Sequence, residues 1–333
     1  MGGSKNESNF IAVVHIDGNA MGKRVENLYD ETLRNMKWPE FKCKIKEFSQ
    51  SIDEAFKQAY FNTVCSVVKN IEEGNLKDLE LDKGFLPIRR IITEGDDICF
   101  VTEGRIGVEC AAIFIKELSK AEVKNSVDGK GYAACAGVAI VHQKYPFYKA
   151  YELAESLCSN AKRFGAELSK DGSGSDISAI DWHIEYGEIK DTLEEIRLNY
   201  TTKDGNRLEM RPYIVSSADE IMTKEKIRQY EKFRKLISGF IDEDMDYARG
   251  KLKSLRGILK EGEDAAKHFL VFNKIEDVTL DSYQGIFVDV DTDKIGSGKG
   301  LDRKVFVETS DKIKRSVLFD AIELSDTFIK LDY

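Results

Sequence analysis

Two adjacent carboxylates at the tip of a predicted hairpin are the residues of this chain best suited to chemistry. Residues 88–102 hold two apolar, β-branched runs on either side of Glu94-Gly95-Asp96-Asp97, an acidic turn of the kind that closes a hairpin. Adjacent carboxylates repel each other unless a cation or a proton shares their site. A site made only of oxygen ligands suits Mg²⁺ or Mn²⁺. The turn therefore indicates a divalent-cation site, although a plain solvated turn explains the same residues.

A third carboxylate, Asp17, comes directly after the apolar run 10–16, which predicts a buried strand. The loop after Asp17 contains two glycines, which let the backbone turn tightly and leave amides free to face a phosphate. Lys23 adds a positive charge at the end of this loop. We therefore predict a phosphate-binding loop beside the acidic turn. Its residues are Gly18, Asn19, Ala20, Met21 and Gly22.

Composition limits the class of protein to which the chain belongs. Its 333 residues are 42% hydrophobic and 33% charged, which is typical of a globular protein with room for two domains. The net charge of −9 argues against a general nucleic-acid coat, which needs a basic face. No apolar run approaches the ~18 residues of a membrane helix. The polar start of the sequence does not resemble a signal peptide, so we expect a cytoplasmic protein without a membrane partner.

Six cysteines are scattered along the chain, and no two have the C-x-x-C spacing of a zinc ribbon. They are better explained as small buried side chains in a reducing compartment.

The elements that must position the acidic residues alternate between strands and helices. This order predicts an α+β fold in which helices pack on one sheet. The predicted elements are strand 10–17, helix 41–73, hairpin 85–102, helix 106–120, strand 132–142, helix 147–163 and strand 177–185.

The pattern changes near residue 213. Residues 190–213 predict a polar helix and a hairpin, and two charged helices follow at 221–241 and 244–261. There is little strand signal between residue 214 and Gly285–Val290. We therefore predict a first domain at 8–213, with a helical insertion at about 26–84, and a mainly helical second domain at 214–333.

Several motifs in a fixed order resemble one known family. The resemblance is to the second palm domain of the large polymerase/cyclase subunit of type III CRISPR complexes. That domain is akin to GGDEF diguanylate cyclases, to class III nucleotidyl cyclases and to stand-alone minimal CRISPR polymerases. The resemblance covers roughly residues 8–190 of this chain, with weaker similarity at Leu318–Leu324. The motifs are Asp17-Gly-Asn-Ala-Met-Gly22, Glu94-Gly-Asp-Asp97, Gly137-Val-Ala-Ile-Val-His142 with Tyr145-Pro146, the helix Ala154–Lys162, and Ile180-Asp-Trp-His183.

The resemblance implies a ferredoxin-like palm and assigns roles by position. Asp17, Asp96 and Asp97 match the catalytic residues that hold two Mg²⁺ or Mn²⁺ ions, together with Gly18. Lys162 matches the lysine at the end of a helix that contacts the triphosphate, and Arg163 stands beside it. His183 matches a histidine whose role is unassigned.

Three positions depart from the family pattern. Glu94 stands where glycine is usual and adds a negative charge beside the metal site. Asn19 stands where relatives often carry a second aspartate. Val25 replaces the asparagine with which diguanylate cyclases read guanine, so guanine is disfavoured.

The function implied is a metal-dependent nucleotidyltransferase that makes a cyclic nucleotide or cyclic oligonucleotide from NTP, with ATP favoured, in antiviral defence. Joining two nucleotides favours a homodimer or a palm-containing partner. A cyclic-nucleotide-sensing effector would act downstream, and nucleic acid would enter only as an activator.

Two alternatives stay open. One is a catalytically inactive palm that binds nucleotide as a regulatory or interaction module, which Glu94 favours. The other is a template-dependent or terminal polymerase, which the acidic composition disfavours.

Overall fold

The computed structural model describes residues 9–77, 79, 81, 84–121, 131–187, 192–241, 246–273 and 305–333. The chain forms two compact units. The first comprises Met1–Glu188, Ile214–Ala218 and Ile329–Tyr333, and the second Ile189–Tyr213 and Asp219–Phe328. The domain limits 8–213 and 214–333 stay a prediction, because compact units need not fold independently.

A mixed six-stranded sheet forms the centre of the first unit, in the order β2-β3-β1-β4-β5-β6. The pairs β2–β3, β3–β1 and β1–β4 are antiparallel, and β4–β5 is parallel. The α+β fold class is confirmed. The strands are β1 (Phe10–Gly18), β2 (Ile88–Glu94), β3 (Asp97–Glu103), β4 (Ala134–His142), β5 (Ser178–Glu185) and β6 (Tyr213–Ser216).

Helices cover both faces of this sheet. The helices of the first unit are α1 (Met21–Leu28), α2 (Trp38–Glu72), α3 (Gly107–Ser119) and α4 (Phe147–Leu168). A Cβ on Gly137 would lie 1.9 Å from the carbonyl oxygen of Ala154, so α4 lies directly against this face of β4. A Cβ on Gly107 would lie 2.2 Å from Ala12, which places α3 against the opposite face. Strands covered on both faces are apolar along most of their length, which explains why β1 is apolar from Phe10 to Ile16 except at His15.

Most predicted elements are present, and the differences have local causes. Helix α4 extends to Leu168, beyond the predicted end at 163. The predicted helix 221–241 is interrupted, because Gln229 has an extended backbone and its side chain donates to the carbonyl of Met222. Strand β6 was not predicted, since four residues are too few to show a period-two pattern.

The second unit is mainly helical. Its helix α10 packs against α7 and α8. The predicted strand Gly285–Val290 lies outside the described residues. The elements are α5 (Leu193–Leu198), α6 (Asp219–Lys224), α7 (Tyr230–Ile241), α8 (Asp246–Leu259), α9 (Glu263–Phe272), α10 (Phe319–Leu324), and a two-stranded sheet of β7 (Phe306–Glu308) and β8 (Lys314–Ser316).

The last residues of the chain, Ile329–Tyr333, return to the first unit. The amide of Leu331 donates to the buried Glu109 carboxylate at 3.0 Å. The amide of Asp332 donates to the side-chain oxygen of Asn70 at 2.8 Å. These bonds satisfy polar groups that burial would otherwise penalise. Within the described part of the chain, no helix combines the length and the apolar character needed to cross a membrane.

Candidate functional site

The pairing of β1 with β3 brings three carboxylates to one end of the sheet. In the antiparallel register, Asp17 lies directly opposite Asp97. Gly95 and Asp96 form the hairpin tip, where Gly95 has φ 62°, a left-handed conformation that favours glycine. The amide of Gly18 donates to the carbonyl of Asp96 at 3.0 Å and joins the tip to β1.

Gly18 also leaves room for the Asp96 side chain. A Cβ at this position would lie 2.8 Å from the Cβ and 2.9 Å from Oδ2 of Asp96, closer than side chains approach one another. A glycine after Asp17 is therefore needed for the Asp96 carboxylate to lie against β1.

Lys162 reaches this group from the last turns of α4. Its Nζ lies 2.6 Å from Oδ2 of Asp17 and donates to the carbonyl oxygen of Gly18 at 2.8 Å. The Lys162 and Asp17 side chains are 30% and 39% exposed, so the ion pair is in contact with solvent. The ammonium group is thus bound by two of the oxygen groups predicted to hold a metal ion.

The other two carboxyl groups are not fully compensated. Burial raises the pKa of Asp96, and the charge of Asp17 raises it further. Burial also raises the pKa of Asp97; His15 opposes this, while Asp17 adds to it. The Oδ1 atom of Asp97 is buried and has no hydrogen-bond partner among the described residues. Both groups would be stabilised as carboxylates by an added cation.

Three residues near Asp97 were not predicted from the sequence. His15 is buried, with Nδ1 3.5 Å from Oδ1 of Asp97, and its ring contacts Tyr151 edge-on. The charge of Glu155 raises the pKa of Asp97. His15 lies two residues before Asp17 on one face of β1, and Tyr151 and Glu155 precede Lys162 at helical spacing on α4. These spacings, two residues along a strand and whole turns along a helix, are the sequence signal that could have placed the three residues beside the acidic turn.

The predicted phosphate loop is partly used by the fold itself. The amide of Asn19 donates to the carbonyl of Ala133, and that of Gly18 to Asp96. The remaining residues, Ala20 to Gly22, lead into the first turn of α1, where amides have no partner within the helix.

The Asn19 side chain is buried and holds a neighbouring loop. Its Nδ2 donates to the carbonyls of Gly174 and Ile177 at 3.1 and 2.7 Å. Lys23 lies 3.4 Å from Asp171 in the same loop. Asn19 therefore positions the segment that faces the start of α1.

Two other predicted residues make contacts of their own. Arg163 donates to the side-chain oxygen of Asn160 at 2.6 Å. His183 is buried on β5, with Nε2 3.6 Å from Oε2 of Glu185.

The donor chemistry of the acidic end fits a divalent cation, but the ligands are not assembled into a finished site. Carboxylate and carbonyl oxygens are the ligands that Mg²⁺ and Mn²⁺ prefer. Among the described residues, no group of three or more His, Cys, Asp or Glu side chains could hold a metal ion. In the structure, Lys162 takes up one carboxylate oxygen of the set.

Two comparisons with known proteins bear on the family that this chain resembles. Residues 10–171 match the family model described as Cas10/Cmr2, second palm domain. The CRISPR system Cmr subunit Cmr2 of Pyrococcus furiosus is 23% identical over 282 residues, covering 76% of this chain and 31% of the relative. The chain thus spans less than a third of that relative's length. The resemblance to the second palm domain is confirmed, and the matched region is similar to the palm of CRISPR polymerase-like nucleotidyltransferases.

Proposed function

We propose that this chain is a metal-dependent nucleotidyltransferase that forms a cyclic nucleotide or cyclic oligonucleotide from NTP, with ATP favoured, as a signal in antiviral defence. The observation that carries the proposal is that Asp17, Asp96 and Asp97 lie together at one end of a palm sheet, where Lys162 donates to Asp17. In the reaction, a ribose hydroxyl attacks the α-phosphorus, loses its proton to solvent and displaces pyrophosphate.

Asp17, Asp96 and Asp97, with the carbonyl of Gly18, would hold two divalent cations. When bound, Mg²⁺ or Mn²⁺ would lower the pKa of the attacking hydroxyl and offset the charge of the triphosphate. The raised pKa values of Asp96 and Asp97 support this assignment, because burial and the charge of Asp17 disfavour the ionised carboxylates, which a bound cation would stabilise.

Lys162, Lys23 and Arg163 would bind the triphosphate, together with the first amides of α1. Lys162 is within reach, since its Nζ already contacts Asp17 and Gly18. Lys23 would leave Asp171, a 3.4 Å contact between exposed side chains that costs little to break.

Joining two nucleotides requires both to be bound at once. We propose a homodimer, or a complex with a second palm-containing protein, because each palm offers one acidic end. A cyclic-nucleotide-sensing effector would then respond to the product.

A second candidate is a nucleotide-binding regulatory module without turnover. The position of Glu94 favours it, because Glu94 pairs with Asp97 in the hairpin register and its charge raises the pKa of Asp97.

The test is to incubate the purified protein with each NTP, alone and in mixtures, with Mg²⁺ or Mn²⁺, and to identify products by mass spectrometry. Asp96→Ala/Asp97→Ala is the control. A cyclic product that disappears in the control is expected, with a loss of at least about 100-fold. Nucleotide binding without any product would favour the regulatory module instead.

A further inference from the structure

An exposed group of three aromatic rings lies around the start of α2. Trp38 is 72% exposed and stacks on Phe41, with ring centroids 5.6 Å apart and an interplanar angle of 18°. Tyr29 is 47% exposed and meets Phe41 edge-on at 6.2 Å. We call these three residues the aromatic platform. The Trp38 ring is thus held in a fixed orientation with most of its apolar surface in water. Exposure of this surface forgoes the stabilisation that burial would give, so it needs an explanation.

Two rings of the platform, Trp38 and Phe41, lie in a run of lysines within an acidic chain. From Tyr29 to Glu47, the stretch that holds the whole platform, there are five cationic side chains and four acidic ones, Asp30, Glu31, Glu40 and Glu47, whereas the whole chain has a net charge of −9. The cationic residues are Arg34, Lys37, Lys42, Lys44 and Lys46.

Three of these lysines are not used by the fold. Lys44 pairs with Glu47 at 2.7 Å. Lys37, Lys42 and Lys46 are exposed and pair with no other side chain that the structure describes. Lys42 is one helical turn after Trp38, and Lys37 is one turn before Phe41, so cations flank the stacked rings. From Lys37, the residue before α2, to Lys46, these lysines extend over more than two helical turns.

We propose that the aromatic platform binds single-stranded nucleic acid, with a base stacked on Trp38 and the backbone phosphates beside Lys37, Lys42 and Lys46. Exposed aromatic rings with interspersed cations are the pattern by which proteins bind single strands without sequence preference. In a duplex, the base faces are covered by neighbouring bases, so the rings cannot stack on them. Cations spread over several turns suit a strand of phosphates better than one mononucleotide.

The site is independent of the proposed catalytic residues. None of the platform residues contacts Asp17, Asp96 or Asp97 through any bond that the described structure contains. The two proposals can therefore fail separately.

The test measures binding of a fluorescein-labelled single-stranded RNA 12-mer by anisotropy at low ionic strength. Trp38→Ala is expected to weaken binding about tenfold. Phe61→Ala is the matched control, because Phe61 is 61% exposed on the same helix and outside the platform. It should change the Kd by less than about twofold. Lys42→Gln should weaken binding and reduce its salt dependence.

Tryptophan fluorescence adds a direct readout. The chain has two tryptophans, and Trp182 is fully buried, so quenching by RNA should come from Trp38 and vanish in Trp38→Ala. The proposal is wrong if Trp38→Ala binds like the parent protein, if a duplex binds as tightly, or if ATP alone quenches Trp38 to the same extent. Asp96→Ala/Asp97→Ala should bind RNA normally, which separates this result from the outcome of the product assay.

Discussion

Each unit of the chain contains a cluster of carboxylates with one cation, and the two clusters differ in exposure and in the number of carboxylates that the cation contacts. In the second unit, Arg211 is fully buried, and its Nη2 lies 2.6 Å from Oε2 of Glu323. Asp320 is 1% exposed and accepts hydrogen bonds from the amides of Met210 and Arg211. The hydroxyl of Tyr200 donates to Glu323 at 2.8 Å.

The cluster of the first unit is open by comparison. The side chains of Asp17 and Asp97 are 39% and 40% exposed, and Lys162 is 30% exposed. Lys162 contacts Asp17, whereas Oδ1 of Asp97 has no hydrogen-bond partner among the described residues, with Nδ1 of His15 lying 3.5 Å away.

The difference shows how a structural charge cluster is distinguished from a candidate functional one. Buried carboxylates that face a buried guanidinium contribute to folding and leave no room for an external ion. Burial raises the pKa of Asp320 as well, so exposure separates the clusters: half-exposed carboxylates can be reached by a cation from solvent, which is what a site for Mg²⁺ and triphosphate requires. Mutations in the buried cluster should therefore mainly lower the free energy of unfolding, and mutations in the open cluster should mainly change cation binding.

The largest effect on stability is expected from Arg211→Met. Removing the buried guanidinium leaves Asp320 and Glu323 without their cation, which should lower the free energy of unfolding by about 3–5 kcal/mol. Urea denaturation followed by circular dichroism measures this loss.

Lys162→Met is the matched control in the open cluster. It removes an ion pair that solvent screens, so it should change the free energy of unfolding by less than about 1 kcal/mol. Equal losses in the two variants would contradict the contrast between the clusters.

A smaller effect is expected from Asp97→Asn in the absence of divalent cations. Burial raises the pKa of Asp97 in the folded state, so the folded protein binds this proton more tightly than the unfolded chain. The free energy of unfolding should therefore fall as the pH rises above about 4, and this loss should be absent in the variant. Because Asp97 is 40% exposed, the gain at pH 7 should be below about 1 kcal/mol.

The measurement is denaturation from pH 4 to pH 7 in EDTA. A variant less stable than the parent protein at pH 7 would show that the charge of Asp97 is already compensated in the folded protein.

Local sequence patterns predicted most of the sheet and the acidic turn. A mainly apolar run predicted β1, and two β-branched runs around Glu94-Gly95-Asp96-Asp97 predicted the hairpin of β2 and β3. Both signals come from residues close together in the sequence. Asp17 was predicted to join the acidic turn because a metal site needs a further carboxylate, whereas its register opposite Asp97 was not predicted, and Lys162 was found only through the family resemblance.

The features that were missed depend on contacts between distant residues. Asn19 carries no sign in its local sequence that it will hold the carbonyl of Ile177, which lies 158 residues away. Arg211 and Asp320 are 109 residues apart, and a charged residue at either position would be expected to be exposed. The interruption of the predicted helix 221–241 depends on the backbone at Gln229, which no proline or glycine announces.

The central claim, that the acidic end of the sheet is a divalent-cation site, is tested most directly by titrating the protein with Mn²⁺ and following the free ion by electron paramagnetic resonance. This measurement needs neither substrate nor activator. The parent protein should bind Mn²⁺ saturably, Asp17→Asn/Asp97→Asn should bind at least about tenfold more weakly, and Lys162→Met about fivefold more tightly, since its ammonium group no longer competes. The same Kd in all three proteins, or no saturable binding in the parent, would contradict the claim.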